Sequence, residues 1–431
     1  MHKRRAIGLG TMLILGQAAM SASQDLARPI YYSVPGMDKA VVHPDVVYRR
    51  DGQAEMKMDI CLPPDVAGNV RLPAVIFIHG GPLGSNPNPP PKDWGVYTSY
   101  GRLMAASGLV GVTFNHRYLS MAAKDMDTSF SDVEAAIAHV RENAGRYHID
   151  PERLALWAFS GGGPHLSLGL RGDKPYIRCL VSFYAILDVR DQDPGQGLPK
   201  DAMKRYSPIS YLENPPSALP SVLIGRAGLD SPSINRSVEL FVNRMMTLNA
   251  DINLVSHPLG RHGFDILDDD QQTRDTIAAA VTFLKSRLDR KAPFEARAAR
   301  TGQDLQVLLA GGKIGEARAL ARESSTDKDL QRVIDNLVSE SRLNSLAYSL
   351  MRSNKQAALE TLQWAVDIAP ISAGAHDSLA AGYEAVGRPD LALAEARRAI
   401  ELLDKSPDLS ESRKKTIRDS AEAKIRRLQK E

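Results

Sequence analysis

One serine of this chain, Ser160, stands where an apolar run ends and a glycine-rich turn begins. Residues 154–159 are apolar, and three glycines follow the serine at 161–163. This pattern is typical of a buried parallel strand that ends in a turn too tight for large side chains, which exposes the residue at its tip. It approximates the G-x-S-x-G nucleophile elbow, with Ala158 in place of the first glycine. Ser160 is therefore the candidate nucleophile.

A serine hydroxyl is a weak nucleophile at neutral pH, so it needs a general base and a group that orients the base. Asp230 follows a strand-like run at 221–224, and His262 lies in the loop after a second run at 252–255. One strand–helix unit separates the two loops, and the chain order Ser, Asp, His is one in which such triads occur. Asp230 is the predicted acid and His262 the predicted base.

Other titratable residues compete for these roles. His257 ends the last predicted strand and is the alternative base, while Asp188 follows the strand after the elbow and is the alternative acid. Asp201 and Asp265 are further carboxylates near the predicted loops. His165 falls in the helix expected after the nucleophile, so its side chain is predicted to point away and to have a packing or polar-cap role.

Backbone donors for an oxyanion are expected from two turns. The N–H that follows the nucleophile belongs to Gly161. The second donor is expected from the turn His79-Gly80-Gly81-Pro82, which follows the apolar run 74–78. Pro82 has no N–H, so Gly81 is the preferred donor and Gly80 the alternative.

These loops require a sheet whose strands end at one edge. Strands are predicted within 41–63 and at 74–78, 110–114, 154–159, 179–184, 221–224 and 252–255, and helices at 95–107, 131–143, 234–248 and 271–288. In the second helix, Ser131 is the expected N-cap and Glu134 completes a capping box. The alternation predicts an α/β fold: a mostly parallel sheet with helices on both faces.

Strand patterns end near residue 290, and the chain from 291 to 431 is helical in pattern. Small and apolar residues recur there with a spacing of 34: Ala358, Leu362 and Ala365, then Ala392, Ala396 and Ala399. This spacing resembles the tetratricopeptide repeat, whose paired helices cross at small residues. Residues 303–322 are a weaker candidate for a further unit. A plain helical bundle is the alternative interpretation.

The N-terminus has the pattern of a secretory signal peptide over residues 1–23. Basic residues at 3–5 precede an apolar run at 6–15, and small residues follow at 18–23. Export to the periplasm or the medium is expected, with a catalytic domain at 24–290, a helical domain at 291–431 and no later segment that spans a membrane.

The net charge of +3 is spread along the chain, which disfavours nucleic acid as a partner. Cys61 and Cys179 are expected to be buried free thiols.

Several segments together resemble the α/β-hydrolase superfamily, over roughly residues 45 to 290. The segments are 77–82 (FIHGGP), 115–118 (NHRY), 149–153 (IDPER), 158–162 (AFSGG) and 262–264 (HGF). Within that superfamily they are most similar to the esterase/lipase branch with the hormone-sensitive-lipase-like and the feruloyl or acetyl-xylan esterases. The resemblance implies Ser160 as nucleophile, Asp230 as acid and His262 as base.

The resemblance also implies a small-molecule ester as substrate, hydrolysed through an acyl-enzyme with no metal or organic cofactor. Two departures bear on this expectation. Ala158 replaces the first glycine of the elbow, and Pro82 stands where the lipase-like branch usually has glycine, which resembles the prolyl-peptidase branch. A prolyl-oligopeptidase-like peptidase is one alternative. The other is a non-catalytic module whose helical repeats bind a protein or self-associate.

Overall fold

The architecture was obtained as a computed structural model that describes residues 26–84, 87–190, 198–216, 219–289, 292–403, 405 and 409–429. The predicted signal peptide, 1–23, lies outside the described residues. The chain divides into two compact units between Ala296 and Arg297, against an expected boundary between 290 and 291. The first unit is built on one sheet, and the second is helical.

The sheet of the first unit has eight strands in the order β1-β2-β4-β3-β5-β6-β7-β8. Their bounds are β1 Val41–Asp51, β2 Ala54–Leu62, β3 Leu72–Ile78, β4 Val110–Phe114, β5 Ile149–Phe159, β6 Ile177–Phe183, β7 Ser221–Ala227 and β8 Ile252–His257. The β1–β2 and β2–β4 pairs are antiparallel and all the others are parallel. The predicted mixed α/β class with a mostly parallel sheet is confirmed.

The strand order reverses at β3, since the chain passes from β3 to β4 on one side and later to β5 on the other. In open α/β sheets, sites form beyond the carboxyl ends of the strands at such a reversal. The turn after β3 carries Gly80 and Gly81, and the turn after β5 carries Ser160. The topology therefore places two of the predicted chemical segments side by side.

Helices connect the strands and cover both faces of the sheet, each face with its own apolar cluster. Their bounds are α1 Gly95–Ala106, α2 Ala123–Glu142, α3 Ser167–Leu170, α4 Lys200–Tyr206, α5 Pro232–Thr247, α6 Phe264–Leu267 and α7 Gln271–Arg287. After β5 the chain forms a 3₁₀ turn over Ser160–Leu166 before the single α-turn α3. Cys61 and Cys179 are buried free thiols, as predicted.

The start of α2 was predicted wrongly. The helix begins at Ala123, so Ser131 lies inside it and caps nothing; its hydroxyl accepts a hydrogen bond of 2.7 Å from Arg49. Apolar residues that face the core begin earlier, at Met126 and Phe130. Their spacing continues the stripe of the later turns, and burial of that stripe outweighs the local capping signal at Ser131.

The chain from Ala292 onward, which includes the whole second unit, is helical in its described residues. The helices are α8 Ala292–Ala310, α9 Ile314–Ser324, α10 Lys328–Leu337, α11 Glu340–Leu350, α12 Lys355–Ile368, α13 Ala373–Ala385, α14 Pro389–Leu403 and α15 Glu411–Leu428. The six residues that recur with the spacing of 34 lie on α12 and α14, and all are fully buried. A helical C-terminal region is thus confirmed, while its identity as a tetratricopeptide array stays a prediction. Within the described ranges, no helix has the length and apolarity needed to cross a bilayer.

A tight contact of alanines holds the last three helices together. Ala380, Ala396, Ala399 and Ala421 form one buried cluster. We predict that Ala396→Leu lowers the free energy of unfolding of the helical unit by about 1–3 kcal/mol, because the added atoms overpack this contact. Amide hydrogen exchange of α13–α15 would measure the loss. Arg397→Leu is the matched control, since position 397 is exposed; equal effects of the two leucines would contradict the packing argument.

Candidate active site

Three side chains that are distant in sequence form a continuous hydrogen-bonded series. His262 Nε2 lies 2.8 Å from Ser160 Oγ, and His262 Nδ1 lies 2.7 Å from Asp230 Oδ2. A carboxylate only accepts, so Nδ1 carries the proton, and Nε2 is left to accept from the serine hydroxyl. The structure thus brings together the three residues that the sequence analysis selected, in the order nucleophile, base, acid.

The backbone at Ser160 has a left-handed conformation, with φ of 52°. A residue with a β-carbon rarely adopts this conformation, and where it occurs the surrounding structure holds it in place. Here β5 ends at Phe159, and the carbonyl of Ser160 accepts a hydrogen bond of 3.0 Å from the N–H of Ile186. The sharp turn directs the side chain of Ser160 out of the strand and toward His262.

Asp230 and His262, the predicted acid and base, follow β7 and β8 respectively. The side chain of Asp230 is 4% exposed, whereas that of His262 is 31% exposed. The second oxygen of Asp230 accepts a bond of 2.7 Å from the N–H of Ser231, the N-cap of α5. Both oxygens of the carboxylate are therefore engaged, which fixes the side chain that orients His262.

The competing residues have other partners. His257 Nε2 lies 3.2 Å from the carboxylate of Asp270. Asp188 accepts from the guanidinium of Arg190, at 2.8 and 2.9 Å, and from the hydroxyl of Ser207.

The two remaining competing carboxylates differ in their surroundings. Asp265 accepts from the hydroxyls of Tyr100 and Tyr184, and Asp201 is an exposed residue of α4. The structure brings none of the competing residues into hydrogen-bond contact with Ser160. His165 is fully buried and bonds to Ser129 and to the carbonyl of Gly162.

The predicted oxyanion turns touch each other through glycines. A β-carbon on Gly161 would lie 1.8 Å from the carbonyl oxygen of Gly81, and one on Gly80 would lie 2.9 Å from Cβ of Ser160. The N–H of Gly80 donates to the hydroxyl of Tyr97 at 3.3 Å. Gly161 lies in the first turn of a 3₁₀ helix, where N–H groups have no intrahelical acceptor. This geometry favours Gly81 over Gly80 as the donor that accompanies Gly161.

A buried carboxyl group that is hydrogen-bonded to two tyrosines lies near His262, and the sequence analysis did not predict it. The ring of Tyr184 packs on that of His262, with centroids 4.9 Å apart, and its hydroxyl donates to Asp265 at 2.7 Å. Tyr100 donates to the other oxygen of Asp265 at 2.9 Å. Burial raises the pKa of Asp265 to about 6, while the two tyrosine hydroxyls act in the opposite direction. Asp265 lies close to His262 in the sequence, and this proximity could have indicated a role beside the predicted base. The two tyrosines that bond to Asp265 are distant in sequence, so the sequence does not identify them.

No group of three or more histidine, cysteine, aspartate or glutamate side chains in the described part of the chain is arranged to hold a metal ion. The described residues around Ser160 instead offer the parts of a nucleophilic site: a nucleophile, a base, an orienting acid and backbone N–H groups.

Comparison with known proteins gives one family match. The BD-FAE family model matches residues 58–175, which include the turn after β3 and the serine turn after β5. No curated protein matches the chain. This family match confirms the predicted enzyme class, a serine hydrolase that acts on carboxylic esters.

Solved structures of an esterase from the Planctomycetes species Thermogutta terrifontis are similar to part of this chain. The native form is 20% identical, with a TM-score of 0.47, over 61% of this chain and 96% of that one. The propionate-bound form is 20% identical with a TM-score of 0.47, over 58% and 96%. A form phosphoramylated by tabun is 20% identical with a TM-score of 0.46, over 59% and 96%.

We predict that Gly161→Ala lowers kcat/KM for p-nitrophenyl acetate by about 100-fold or more, because the added methyl group displaces the Gly81 carbonyl and with it the donors beside the serine. Gly68→Ala is the control, since nothing lies within 4 Å of the β-carbon it adds. Wild-type turnover by Gly161→Ala would show that the two turns need not touch.

The raised pKa of Asp265 predicts a pH dependence of stability. An aspartate in an unfolded chain has a pKa of about 3.9. Between about pH 4 and 6, Asp265 is therefore ionised in the unfolded chain but still keeps its proton in the folded chain. The stabilisation by the neutral carboxyl is therefore complete below about pH 4 and is lost as the pH rises through about 6. Relative to Asp265→Asn, the wild type should lose about 2 kcal/mol of stability between pH 4 and pH 7.

Urea denaturation of the sheet unit at pH 4, 5, 6 and 7 measures this difference. Asp65→Asn, an exchange at an exposed turn, should keep the pH profile of the wild type. Parallel profiles for wild type and Asp265→Asn would contradict a raised pKa.

Proposed function

We propose that the protein is an exported carboxylesterase that cleaves small-molecule esters through an acyl-enzyme at Ser160. The observation that carries the proposal is the pair of hydrogen bonds by which His262 joins Ser160, at 2.8 Å, to Asp230, at 2.7 Å. This arrangement matches the geometry by which a triad activates a serine hydroxyl.

In the acylation step, Ser160 Oγ attacks the ester carbonyl and its proton passes to His262 Nε2. Asp230 holds the imidazole in the required tautomer and stabilises the imidazolium that forms. The negative charge on the former carbonyl oxygen is bound by the N–H groups of Gly161 and Gly81. The proton on Nε2 then goes to the departing alcohol.

In the deacylation step, water takes the place of the alcohol. His262 Nε2 removes a proton from the water as it attacks the acyl carbonyl, and the same N–H groups bind the second tetrahedral intermediate. Collapse of that intermediate returns the proton to Ser160 Oγ and releases the carboxylic acid. The partial exposure of the His262 side chain supports this step, because water can reach its imidazole.

In this proposal the first unit has the α/β-hydrolase fold, supported by the reversal of strand order at β3 and by sites at the ends of β3, β5, β7 and β8. The second unit is a tetratricopeptide-like array, supported by the burial of its recurring small residues on α12 and α14. Binding of a protein partner, or self-association, through that unit stays a prediction.

Removal of the nucleophile or of the acid tests the triad. We expect Ser160→Ala and Asp230→Asn each to lower kcat for p-nitrophenyl acetate by about 10⁴-fold, since the first removes the attacking atom and the second the tautomer control. Asp201→Asn, at an exposed aspartate of α4, should retain wild-type turnover. Equal rates for wild type and Ser160→Ala would end the proposal.

A substrate panel tests the class. Short-chain p-nitrophenyl esters should be cleaved with far higher kcat/KM than aminoacyl-proline amides, and the reverse order would favour the prolyl-oligopeptidase-like alternative.

Export is tested by N-terminal sequencing of the mature protein, which should begin between about residues 19 and 25 if the segment is a cleaved signal.

A further inference from the structure

The two N–H groups assigned to the oxyanion belong to peptide units whose carbonyls are themselves bonded. In a trans peptide, the C=O and the N–H point in opposite directions, so a bond that fixes the carbonyl also fixes the N–H. The Ser160 carbonyl, in the same peptide unit as the Gly161 N–H, accepts from Ile186 at 3.0 Å. The Gly80 carbonyl, in the same unit as the Gly81 N–H, bonds to His79 Nδ1 at 2.7 Å.

His79 is held in turn by a buried chain of polar groups. Its Nε2 accepts from the backbone N–H of His116 at 3.4 Å, and the two rings stack with centroids 3.7 Å apart. His116 Nδ1 lies 2.8 Å from Ser129 Oγ, which lies 2.8 Å from His165 Nε2. His165 Nδ1 lies 3.1 Å from the carbonyl oxygen of Gly162. This histidine–serine chain (His79, His116, Ser129 and His165) therefore runs from the oxyanion turn to the serine turn.

Hydrogen bonds to backbone groups, together with burial, fix the protons of the chain. His79 Nδ1 donates to the Gly80 carbonyl and its Nε2 accepts from a backbone N–H, so this ring is neutral. His165 Nδ1 donates to the Gly162 carbonyl, and in the neutral ring its Nε2 accepts from the Ser129 hydroxyl. Ser129 has a single proton, so its oxygen then accepts from His116 Nδ1. In these neutral forms all three histidines carry the proton on Nδ1.

The surroundings favour these neutral forms. His79, His116 and His165 are all 5% exposed or less, and Ser129 is fully buried. Burial lowers the pKa of His79 to about 4 and that of His165 to about 3, and it also lowers the pKa of His116. His116 Nε2 has no hydrogen-bond partner among the described residues. A proton there would create a buried, unpaired cation, which is strongly disfavoured.

We propose that the histidine–serine chain positions the oxyanion hole, and that Ser129 is the positioning residue that fixes its proton order. This inference rests on the proposed ester hydrolysis at Ser160. The Ser129 hydroxyl is the one link that both donates and accepts between two side chains. Without it, His116 Nδ1–H and His165 Nε2 lose their shared partner, and the ring stacked on His79 is free to rotate. The Gly80 carbonyl, and with it the direction of the Gly81 N–H, is then less firmly held.

Steady-state kinetics and inhibition of Ser129→Ala separate transition-state stabilisation from substrate binding. Ser129→Ala is expected to lower kcat for p-nitrophenyl acetate by about 10-fold, with KM within about 2-fold, because an oxyanion donor acts mainly in the transition state. The Ki of a short-chain trifluoromethyl ketone, which forms a tetrahedral adduct with the nucleophile, should rise by a similar factor. Titration with a fluorophosphonate counts the active sites, so each rate refers to folded enzyme.

Two further variants complete the test. Thr276→Val removes another buried hydroxyl, which donates to the Gln272 carbonyl of its own helix at 2.7 Å, and it should leave kcat and Ki unchanged. His79→Asn, which keeps a donor near the place of Nδ1, should retain more activity than His79→Ala. A Ser129→Ala enzyme with unchanged kcat and Ki per active site would overturn the inference, as would equal losses in His79→Asn and His79→Ala.

The two proposals fail in different ways. If the wild type hydrolyses no ester, the proposed function fails. The rate of fluorophosphonate labelling of Ser160 still reports on the oxyanion hole, because phosphonylation also develops negative charge on an oxygen beside the serine. A slower labelling rate in Ser129→Ala would then support the positioning role, and an equal rate would refute it.

Discussion

The close approach of two turns is the constraint on which the rest of the site depends. The turn after β3 and the turn after β5 meet so tightly that a single β-carbon on Gly161 would overlap the carbonyl of Gly81. The strands β3 and β5 are parallel neighbours, so their turns lie at the same edge of the sheet, and the strand order reverses there. The loops that carry Asp230 and His262 follow β7 and β8 and approach Ser160 at the same edge.

Residues that follow strands were the predictable part of the site. Ser160 comes directly after an apolar run, and Asp230 and His262 lie in the loops after two others. Because parallel strands end at a common edge, sequence order suggested that the three residues lie near one another. The glycines at 80, 81 and 161 could be selected for the same reason. The strands themselves were predicted to within a few residues, except that β5 begins at Ile149, ahead of its apolar run.

The parts that could not be predicted depend on packing between distant segments. Ser131 offered a local capping signal, but α2 begins earlier because Met126 and Phe130 extend its buried stripe. That same error concealed Ser129, which lies inside the helix and between two histidines. The sequence around Asp265 suggests only a competing acid, because it does not indicate that the hydroxyls of Tyr100 and Tyr184 donate to this carboxyl group.

The left-handed backbone at Ser160 has a consequence for the balance between stability and activity. A residue with a β-carbon in that conformation costs on the order of 1–2 kcal/mol, which glycine would not incur. The fold therefore holds Ser160 in a conformation that opposes folding, and the surrounding hydrogen bonds and packing must outweigh this cost. A glycine at position 160 would not incur the cost, so selection for stability alone would favour replacement of the serine.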